Sequence, residues 1–483
     1  MRFSTLALLL SLLVILQVQE TTCFNEHIKL SHFMKKTIKH NVDIPLSQPP
    51  SPSPLPSSSS YTKWSGRVVY PIEYGADPTG ENESSDAIMK AIEDAFKMDN
   101  RGLELLPGIR DLGGVVIDFQ GGNYKISKPI TFPSSVGNLV VIGGTLRASD
   151  TFPTNRHLVE LCASNSKMLQ NATNNKLLQQ TIGIYYEDIT FRDILFDSSY
   201  QCGGIFIVDS ARIRINNCFF LHFATEGIKV QSGHETFISN CFLGQHSTVG
   251  GDKGERQFSG TAIDLSSNDN AITDVAIFSA AIGIVVRGQA NMITGVHCYN
   301  KATGFGGIGI LLKIAGNSQT RIDNCYMDYN SIVMEDPVQV HVTNGFFLGD
   351  ANIVLKSIKG KVYGLNIINN MFSGNPNNKV PIVTLDGKFS NIDQVVMDRN
   401  NVIGMRLRST IGKLNVDCNG TKWVADFSNA LVFPNRINNF QYSFYILEGP
   451  KFVAHLVSNV SNNVVIVESE KPVHGVVSFY VEQ

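Results

Sequence analysis

Two short hydrophobic patterns recur along the middle of the chain. In the first, a position held by Asn, Asp or once Gly precedes an apolar stretch, as in Asn217-Cys218-Phe219-Phe220. Successive members lie 20 to 34 residues apart. They are Asp193, Asn217, Asn240, Asp274, Gly295, Asn324, Asn344 and Asn370.

The second pattern is an apolar tetrad that keeps step with the first. Its members are Gly204–Ile207, Gly227–Val230, Ala262–Leu265, Gly283–Val286, Gly309–Leu312, Ser331–Met334 and Asn352–Leu355. A common period of about 20–25 residues fits one coil of three short strands, stacked at about 4.8 Å. The chain is therefore predicted to be all-β, a right-handed single-stranded parallel β-helix of about eight visible coils between Phe191 and Phe372.

Both ends of this solenoid are predicted to be covered. Residues 84–97 have the apolar spacing of an amphipathic helix, with Ser84 or Ser85 as its N-cap. After Phe433 the rhythm is lost, and four short β-like segments predict a small C-terminal β cap over 433–483. The β-helix itself is expected over 67–432.

The N-terminal 66 residues are expected to lie outside the fold. Residues 1–23 have the charged and apolar regions of a signal peptide, with a signal anchor as the alternative, and 24–66 form a Pro/Ser-rich disordered spacer. Export is also supported by four Asn-x-Ser/Thr sequons. The predicted glycosylation sites are Asn82, Asn171, Asn419 and Asn459.

The composition of the chain argues against several classes of function. A formal net charge of −2 lacks the basic excess of a nucleic-acid-binding protein, and no other stretch is long and apolar enough to span a membrane. Seven cysteines follow the signal peptide, so at least one thiol should be unpaired. No CxxC or His-rich spacing predicts a zinc site. We expect no cofactor, and a monomer.

The repeat explains many conspicuous residues without assigning them a function. Asn and Asp tolerate the left-handed conformation of a tight turn. The aromatic residues that follow are predicted to form an internal stack, and four cysteines a stack of small apolar fillers. The aromatic residues are Phe219, Phe242, Tyr326, Phe346 and Phe372, and the cysteines Cys218, Cys241, Cys298 and Cys325.

Candidate chemistry lies beside two long insertions, 244–260 and 300–307. In Gly227–Val230 the apolar residues face inward, so Lys229 should face outward, beside Asp264 on the next coil. Glu226 in the preceding turn and Asp264 form a candidate acid–base pair, with Asp269 nearby. Candidate substrate-binding residues are Lys229, Arg287, Lys313, His222, His297 and Lys301. The alternative is a solvated row of surface charges.

Several segments resemble the pectin-active β-helix enzymes. Val69–Asp77 (VYPIEYGAD), the helix that begins Ser85-Asp86-Ala87-Ile88, Gly113–Ile117 and Gly122–Ile126 are similar to their N-terminal signature. The chain is most similar to the divergent plant polygalacturonases of the QUARTET type, near glycoside hydrolase family 28. The resemblance implies a secreted hydrolase of homogalacturonan in the plant cell wall, with a role in pollen separation.

The catalytic motifs of that superfamily are matched incompletely. Its Asn-Thr-Asp-Gly motif corresponds to Ala224–Gly227, with Glu226 in place of Asp. The positions of its Gly-Asp-Asp, Gly-His-Gly and Arg-Ile-Lys motifs lack the acids, the His and the bases, and Asp264 is the nearest acid to the first of these. Two alternatives to hydrolysis therefore stay open: a pectic lyase with an Arg or Lys base and Ca²⁺, and a non-catalytic pectin-binding wall protein.

Overall fold

The computed structural model describes residues 67–98, 102–163, 183–245, 259–299 and 306–483. The predicted signal peptide and spacer, Asn171 and Lys301 lie outside these residues. No helix in the described ranges is long and apolar enough to cross a membrane. Among the other predicted glycosylation sites, Asn82 and Asn419 are exposed and Asn459 is half-buried.

The fold is the predicted parallel β-helix. Each coil contributes one strand to each of three parallel sheets, A, B and C, in that order along the chain. Sheet A consists of Ile130–Thr131, His157–Leu161, Gly203–Val208, Glu226–His234, Ser259–Asn268, Ala280–Val286, Ile308–Leu312, Ser331–Glu335, Asn352–Lys356 and Val383–Asp386.

Sheets B and C share two long strands, Val136–Ala148 and Tyr186–Asp197. The other strands of sheet B are Val68–Val69, Ile109–Asp118, Arg214–Asn216, Phe237–Ser239, Ala271–Thr273, Met292–Thr294, Thr320–Asp323, Val338–Thr343, Lys361–Ile368, Asn391–Asp393 and Val396–Asp398. The others of sheet C are Asn123–Ile126, Phe219–Leu221, Phe242–Gly244, Ala276–Phe278, His297–Tyr299, Tyr326–Asp328, Phe346–Leu348, Met371–Ser373 and Asn401–Ile403. Two short strands lie beside these ladders, Glu104–Leu106 and Ser210–Ala211.

Identical or similar apolar residues stack in register inside the coils. In sheet A, Ile205, Ile228, Ile263, Ile284 and Ile310 are all fully buried on successive strands. Burial removes their apolar surface from water, and the parallel ladder pairs the backbone between them. The predicted apolar tetrads are therefore the inward rows of one sheet.

The corner between sheets B and C is the recurring Asn/Asp turn. Asn217, Asn240 and Asn324 have φ of 52°, 53° and 53°, as predicted for the left-handed region. One position was placed wrongly. Asn369, with φ 59°, occupies the turn, whereas Asn370 is buried and its amide oxygen accepts a hydrogen bond from the Gly345 N–H at 2.9 Å.

All seven cysteines of the described residues are unpaired. Cys218, Cys241 and Cys325 occupy the position after the turn and Cys298 lies two residues further along its coil, and all four are buried. Burial raises the pKa of the Cys325 thiol to about 12, which leaves it protonated and apolar. They fill the core, as predicted.

The N-terminal cover is an α-helix, Ser85–Ala95, preceded by a 3₁₀ turn at Pro71–Tyr74. Ile88, Ala91, Ile92 and Ala95 are buried, as the spacing predicts. Ser84 is the N-cap residue, as predicted, but its side chain makes no capping hydrogen bond. The Glu83 carboxylate accepts the Ser85 N–H at 2.8 Å instead.

The C-terminal cover is a four-stranded antiparallel sheet with its own core around Trp423. Its strands are Ile411–Asp426, Asn439–Glu448, His455–Ser461 and Val464–Glu482. The sheet begins at Ile411, which is 22 residues before the predicted boundary at 433. Only one face of its first strand is partly buried, so its hydrophobic signal is weak. Val432 and Phe433, by contrast, pack into the core of the β-helix.

Candidate active site

Two rows of outward-facing side chains, most of them polar, run across the strands of sheet A. The first row places Phe206, Lys229 and Asp264 side by side on successive strands. The second row begins with Gln231 beside Ser266. Arg287 and Lys313 continue it on the next two strands, where their backbone N–H groups donate to carbonyl oxygens of the preceding strands at 2.7 and 2.8 Å. The lateral position of Lys229 beside Asp264 is the one predicted from the alternation of apolar and polar residues.

Glu226 stands at the start of its strand, opposite Thr261, and is held by two basic side chains. Lys229 Nζ donates to Oε1 at 2.8 Å, and His157 Nε2 lies 3.3 Å from Oε2. Burial raises the pKa of Glu226, but the hydrogen bonds from His157 and Lys229 outweigh it and lower the pKa to about 2. Glu226 is therefore a carboxylate at any pH near neutrality.

Asp264 is paired with Arg287 and not with its lateral neighbour Lys229. Arg287 Nε donates to Oδ1 at 2.9 Å and Nη2 donates to Oδ2 at 2.9 Å, the two parallel bonds of a guanidinium–carboxylate fork. The Asp264 side chain is only 12% exposed. The hydrogen bonds to Asp264 raise the pKa of Arg287 further above its ordinary value, so Arg287 is a poor candidate for a lyase base.

The other predicted site residues are dispersed. Asp269 lies in the turn after the Asp264 strand with φ 57°, five residues or about 16 Å further along the chain. His222 lies at the corner between sheets C and A, where Nδ1 is 2.7 Å from Asp197 Oδ1. His297 projects from sheet C and its Nε2 is 2.6 Å from Asp328 Oδ2. Their expected roles in the site stay predictions.

Sequence reasoning missed the residues on and beside the strand His157–Leu161, which lies two strands before that of Glu226 in sheet A. Arg156 and Glu160 form a fork at 2.8 and 2.6 Å, and with His157, Phe206 and Lys229 they line a pocket of about 480 Å³ next to Glu226. The ammonium of Lys229 also lies 5.5 Å from the centre of the Phe206 ring. His157–Leu161 precedes the first member of the Asn/Asp repeat, so no periodic signal marked this strand.

The site is rich in paired charges. In the ranges that the structure covers, no three His, Cys, Asp or Glu side chains are grouped as metal ligands would be. What the described residues offer is an ionised carboxylate, Glu226, and a second carboxylate, Asp264, with cations beside both. Such a surface can activate a water molecule and bind an acidic sugar by its carboxylate.

On sheet C the structure overturns one prediction. Phe219 and Tyr326 are 46% and 40% exposed, and Phe242 and Phe346 are half-buried, so these aromatic residues form an outer row and not an internal stack. Phe372 alone of the predicted five is buried. Where two aromatic residues are adjacent, as in Phe219-Phe220, alternation does not tell which one faces inward.

Comparisons with known proteins relate the chain as a whole to an enzyme family. No family model matches the chain. Among solved structures, the A-module of the mannuronan C-5 epimerase AlgE4 of Azotobacter vinelandii is 11% identical, with a TM-score of 0.47 over 70% of this chain and 96% of that one. The surface adhesin PfbA of Streptococcus pneumoniae is 13% identical, with a TM-score of 0.44 over 70% of this chain and 91% of that one. At these values neither likeness informs function.

The relationship to one curated protein is much stronger. The chain is 50% identical to "Polygalacturonase QRT3" of Arabidopsis thaliana over 451 residues, which cover 92% of this chain and 89% of that protein. The chain belongs to the QUARTET-type plant polygalacturonases, a group of glycoside hydrolases.

Proposed function

We propose that this protein is a secreted enzyme that hydrolyses α-1,4-galacturonosyl linkages of pectin on the outer face of sheet A. One observation carries this proposal beyond family membership. Two carboxylates, Glu226 and Asp264, lie on adjacent strands, with Lys229 on the strand of Glu226 and with Arg287 and Lys313 on the two coils that follow that of Asp264. Cations spread over several coils suit a polymer that carries one carboxylate on every sugar.

Glu226 is assigned the role of general base. Its pKa of about 2 keeps it ionised, and its oxygens face the pocket side of the sheet with Lys229 and His157. Inverting hydrolysis needs such a carboxylate to take a proton from the attacking water. The water oxygen bonds to the anomeric carbon as the bond to the leaving oxygen breaks.

Asp264 is assigned the role of general acid. In the free protein both carboxylate oxygens of Asp264 accept hydrogen bonds from the Arg287 fork, so a change on substrate binding is required. A galacturonate carboxylate competes for the same guanidinium. Once Arg287 binds the substrate, the poorly exposed Asp264 is released from its partner and supplies the proton that the leaving oxygen takes up.

The separation of the two acids fits an inverting reaction. The residues are offset by one strand, about 4.8 Å, and three positions along the strand, about 10 Å. Side chains that extend towards each other bring the carboxyl groups into the range of about 6.5–9.5 Å used when a water molecule stands between them.

The test is incubation of the purified protein with polygalacturonate. We expect new reducing ends without the ultraviolet absorbance of an unsaturated product. Glu226→Gln and Asp264→Asn should each lower the rate about 10²–10⁴-fold. The control is Asp417→Asn on the C-terminal sheet, which also removes a carboxylate paired with a histidine, at 3.0 Å from His474, and should leave the rate unchanged.

Each other result points elsewhere. Unsaturated ends would identify a lyase, and binding without turnover would identify a non-catalytic pectin-binding protein. If both variants hydrolyse at the wild-type rate, the reaction occurs at another site. The relationship to the QUARTET-type polygalacturonases supports a role in wall remodelling such as microspore separation. Secretion is tested by whether residues 1–23 export a reporter protein.

A further inference from the structure

A strip of aromatic side chains runs along the outer face of sheet C, on successive coils. We define the aromatic band as Phe219, Phe242, Phe278, His297, Tyr326 and Phe346. Strand register places Phe219 beside Phe242, His297 beside Tyr326, and Tyr326 beside Phe346. Ala276 stands between Phe242 and His297, and Phe278, two residues further on, bridges that gap.

The rings of the band are in continuous contact. Phe219 and Phe242 stack with centroids 5.5 Å apart, and Tyr326 and Phe346 stack at 4.6 Å. Phe278 meets Phe242 edge-on at 5.2 Å and reaches His297 at 6.0 Å. His297 lies 5.2 Å from Tyr326. Mutual contact fixes the rings in place, so the band is preorganised.

Two rings of the band are exposed, and the other four are half-buried. Phe219 is 46% exposed and Tyr326 is 40% exposed, and Met371, the next residue in register after Phe346, is 49% exposed. An exposed apolar strip of this length costs solubility, and such strips usually mark a binding surface.

A polar ladder flanks the band on one side. The left-handed turn residues lie two positions before the band residues, and Asn217, Asn240, Asp274, Asn324 and Asn344 are all exposed. They present one amide or carboxylate group on each coil of the band except that of His297, whose turn residue is Gly295. An apolar strip with hydrogen-bonding groups along its edge suits a chain of pyranose rings, whose C–H faces stack on aromatic rings and whose hydroxyl groups project sideways.

Charge separates this surface from sheet A. The strands of sheet C from Phe219–Leu221 to Met371–Ser373 contain no Lys or Arg, whereas Asp274 and Asp328 lie on or beside the band. A polyuronate would be repelled here and attracted to Lys229 and Arg287 on sheet A. The spacing of about 4.8 Å per coil is also close to the length of one sugar in an extended chain.

We propose that the aromatic band is a second glycan-binding surface, which takes an extended, uncharged polysaccharide along the axis of the β-helix. A second copy of this chain would be a poorer occupant, because it would bury the exposed turn amides and Asp274 against an apolar partner. This surface does not depend on the proposed catalytic residues, so either proposal can fail alone.

The experiment measures retention of the full protein on insoluble cellulose and xylan, with polygalacturonate gels as the charged probe. The wild type should be retained on at least one uncharged glycan. The double variant Phe219→Ala/Tyr326→Ala should lose about tenfold or more in affinity. Tyr326→Phe, which keeps the ring, should bind as the wild type does. Phe452→Ala is the matched control, since Phe452 is an aromatic residue of the C-terminal region that is 94% exposed.

Three outcomes would overturn the proposal: no retention on either uncharged glycan, retention that the double variant keeps, or loss of polygalacturonate binding in that variant. A wild-type dimer that the double variant converts to a monomer would assign the band to self-association instead. Hydrolysis of short oligogalacturonides by the double variant should equal that of the wild type. Thermal unfolding of each variant confirms that its fold is retained.

Discussion

The largely buried carboxylate of Glu226 is held by two basic side chains. Its side chain is 18% exposed, and the two basic groups around it come from different strands, Lys229 from its own and His157 from a coil nearer the N-terminus. Removing the carboxylate would leave both without their acceptor, and such orphaned groups cost more than the bond itself contributes.

The lowered pKa of Glu226 predicts how stability depends on pH. Because the folded pKa of about 2 lies below the ordinary glutamate value of 4.5, the stabilisation is complete above pH 4.5 and is lost as the pH falls towards 2. Glu226→Gln should lower the free energy of unfolding by about 2 kcal/mol at pH 6. Urea unfolding at pH 6, 4 and 3 should show this difference shrinking.

The control for that experiment is Glu335→Gln, which removes a carboxylate 3.3 Å from Lys356 on the same sheet face. It should cost less than about 1 kcal/mol. A difference between Glu226→Gln and the wild type that is equal at pH 6 and pH 3 would show that the carboxylate is not held by its charge.

Single residues of the site were only partly predictable. Alternation along the strands was enough to place Lys229 and Asp264 side by side on the outer face, since it depends only on backbone geometry. It could not show that Arg287 forms the ion pair with Asp264, or that Lys229 donates its hydrogen bond to Glu226 on its own strand. Those choices depend on side-chain reach and on the guanidinium fork, which a sequence period does not encode.

At the scale of the element, the left-handed turns between sheets B and C set the shape of each coil. Asn240 has a φ of 53°, is exposed, and lies with Cys241 between the strands Phe237–Ser239 and Phe242–Gly244. Asn is tolerated here because its side chain accepts this backbone conformation, whereas most other L-residues are strained in it.

Substitution at Asn240 separates backbone strain from lost contacts. Asn240→Ala should lower the free energy of unfolding by about 1 kcal/mol, and Asn240→Gly, which shortens the side chain further but relieves the strain, should stay within about 0.5 kcal/mol of the wild type. Urea unfolding of the three proteins provides the measurement. Equal losses for Ala and Gly would mean that the side chain and not the backbone matters.

The elements were predictable where the period repeats and less so elsewhere. The helix over Ser85–Ala95 and the tetrads of sheet A were found because each has many equivalent positions. The strand Ile411–Asp426 was missed because its partner, Val464–Glu482, is distant in sequence and its exposed face carries no pattern. Pairing over such a distance is decided by tertiary structure.

At the scale of the whole molecule, the part of the chain that the structure describes has two separate hydrophobic cores. The long one fills the β-helix, and the short one, around Trp423 and Phe479, belongs to the C-terminal sheet. Little apolar area is buried in the second core, and most residues of the Asn439–Glu448 strand are exposed. Solenoids also unfold from their ends, where each unit has only one neighbour.

Trp423 allows the two cores to be observed separately. The chain has two tryptophans, Trp64 and Trp423, so Trp64→Phe leaves the fully buried Trp423 as the only indole. Its fluorescence should change at a lower urea concentration than the far-ultraviolet circular dichroism, which follows all sheets. Coincident transitions would instead show that the two cores unfold as one cooperative unit.

The unpaired thiols of the described coils have a practical consequence. Backbone ladders and stacked side chains close this fold, and none of its seven described cysteines forms a disulfide. The described part of the fold is therefore able to reach its native state under reducing conditions. Bacterial cytoplasm becomes a suitable production host, and dithiothreitol can stay in every buffer to keep Cys162 and Cys418, the two least buried of these thiols, from cross-linking molecules during storage.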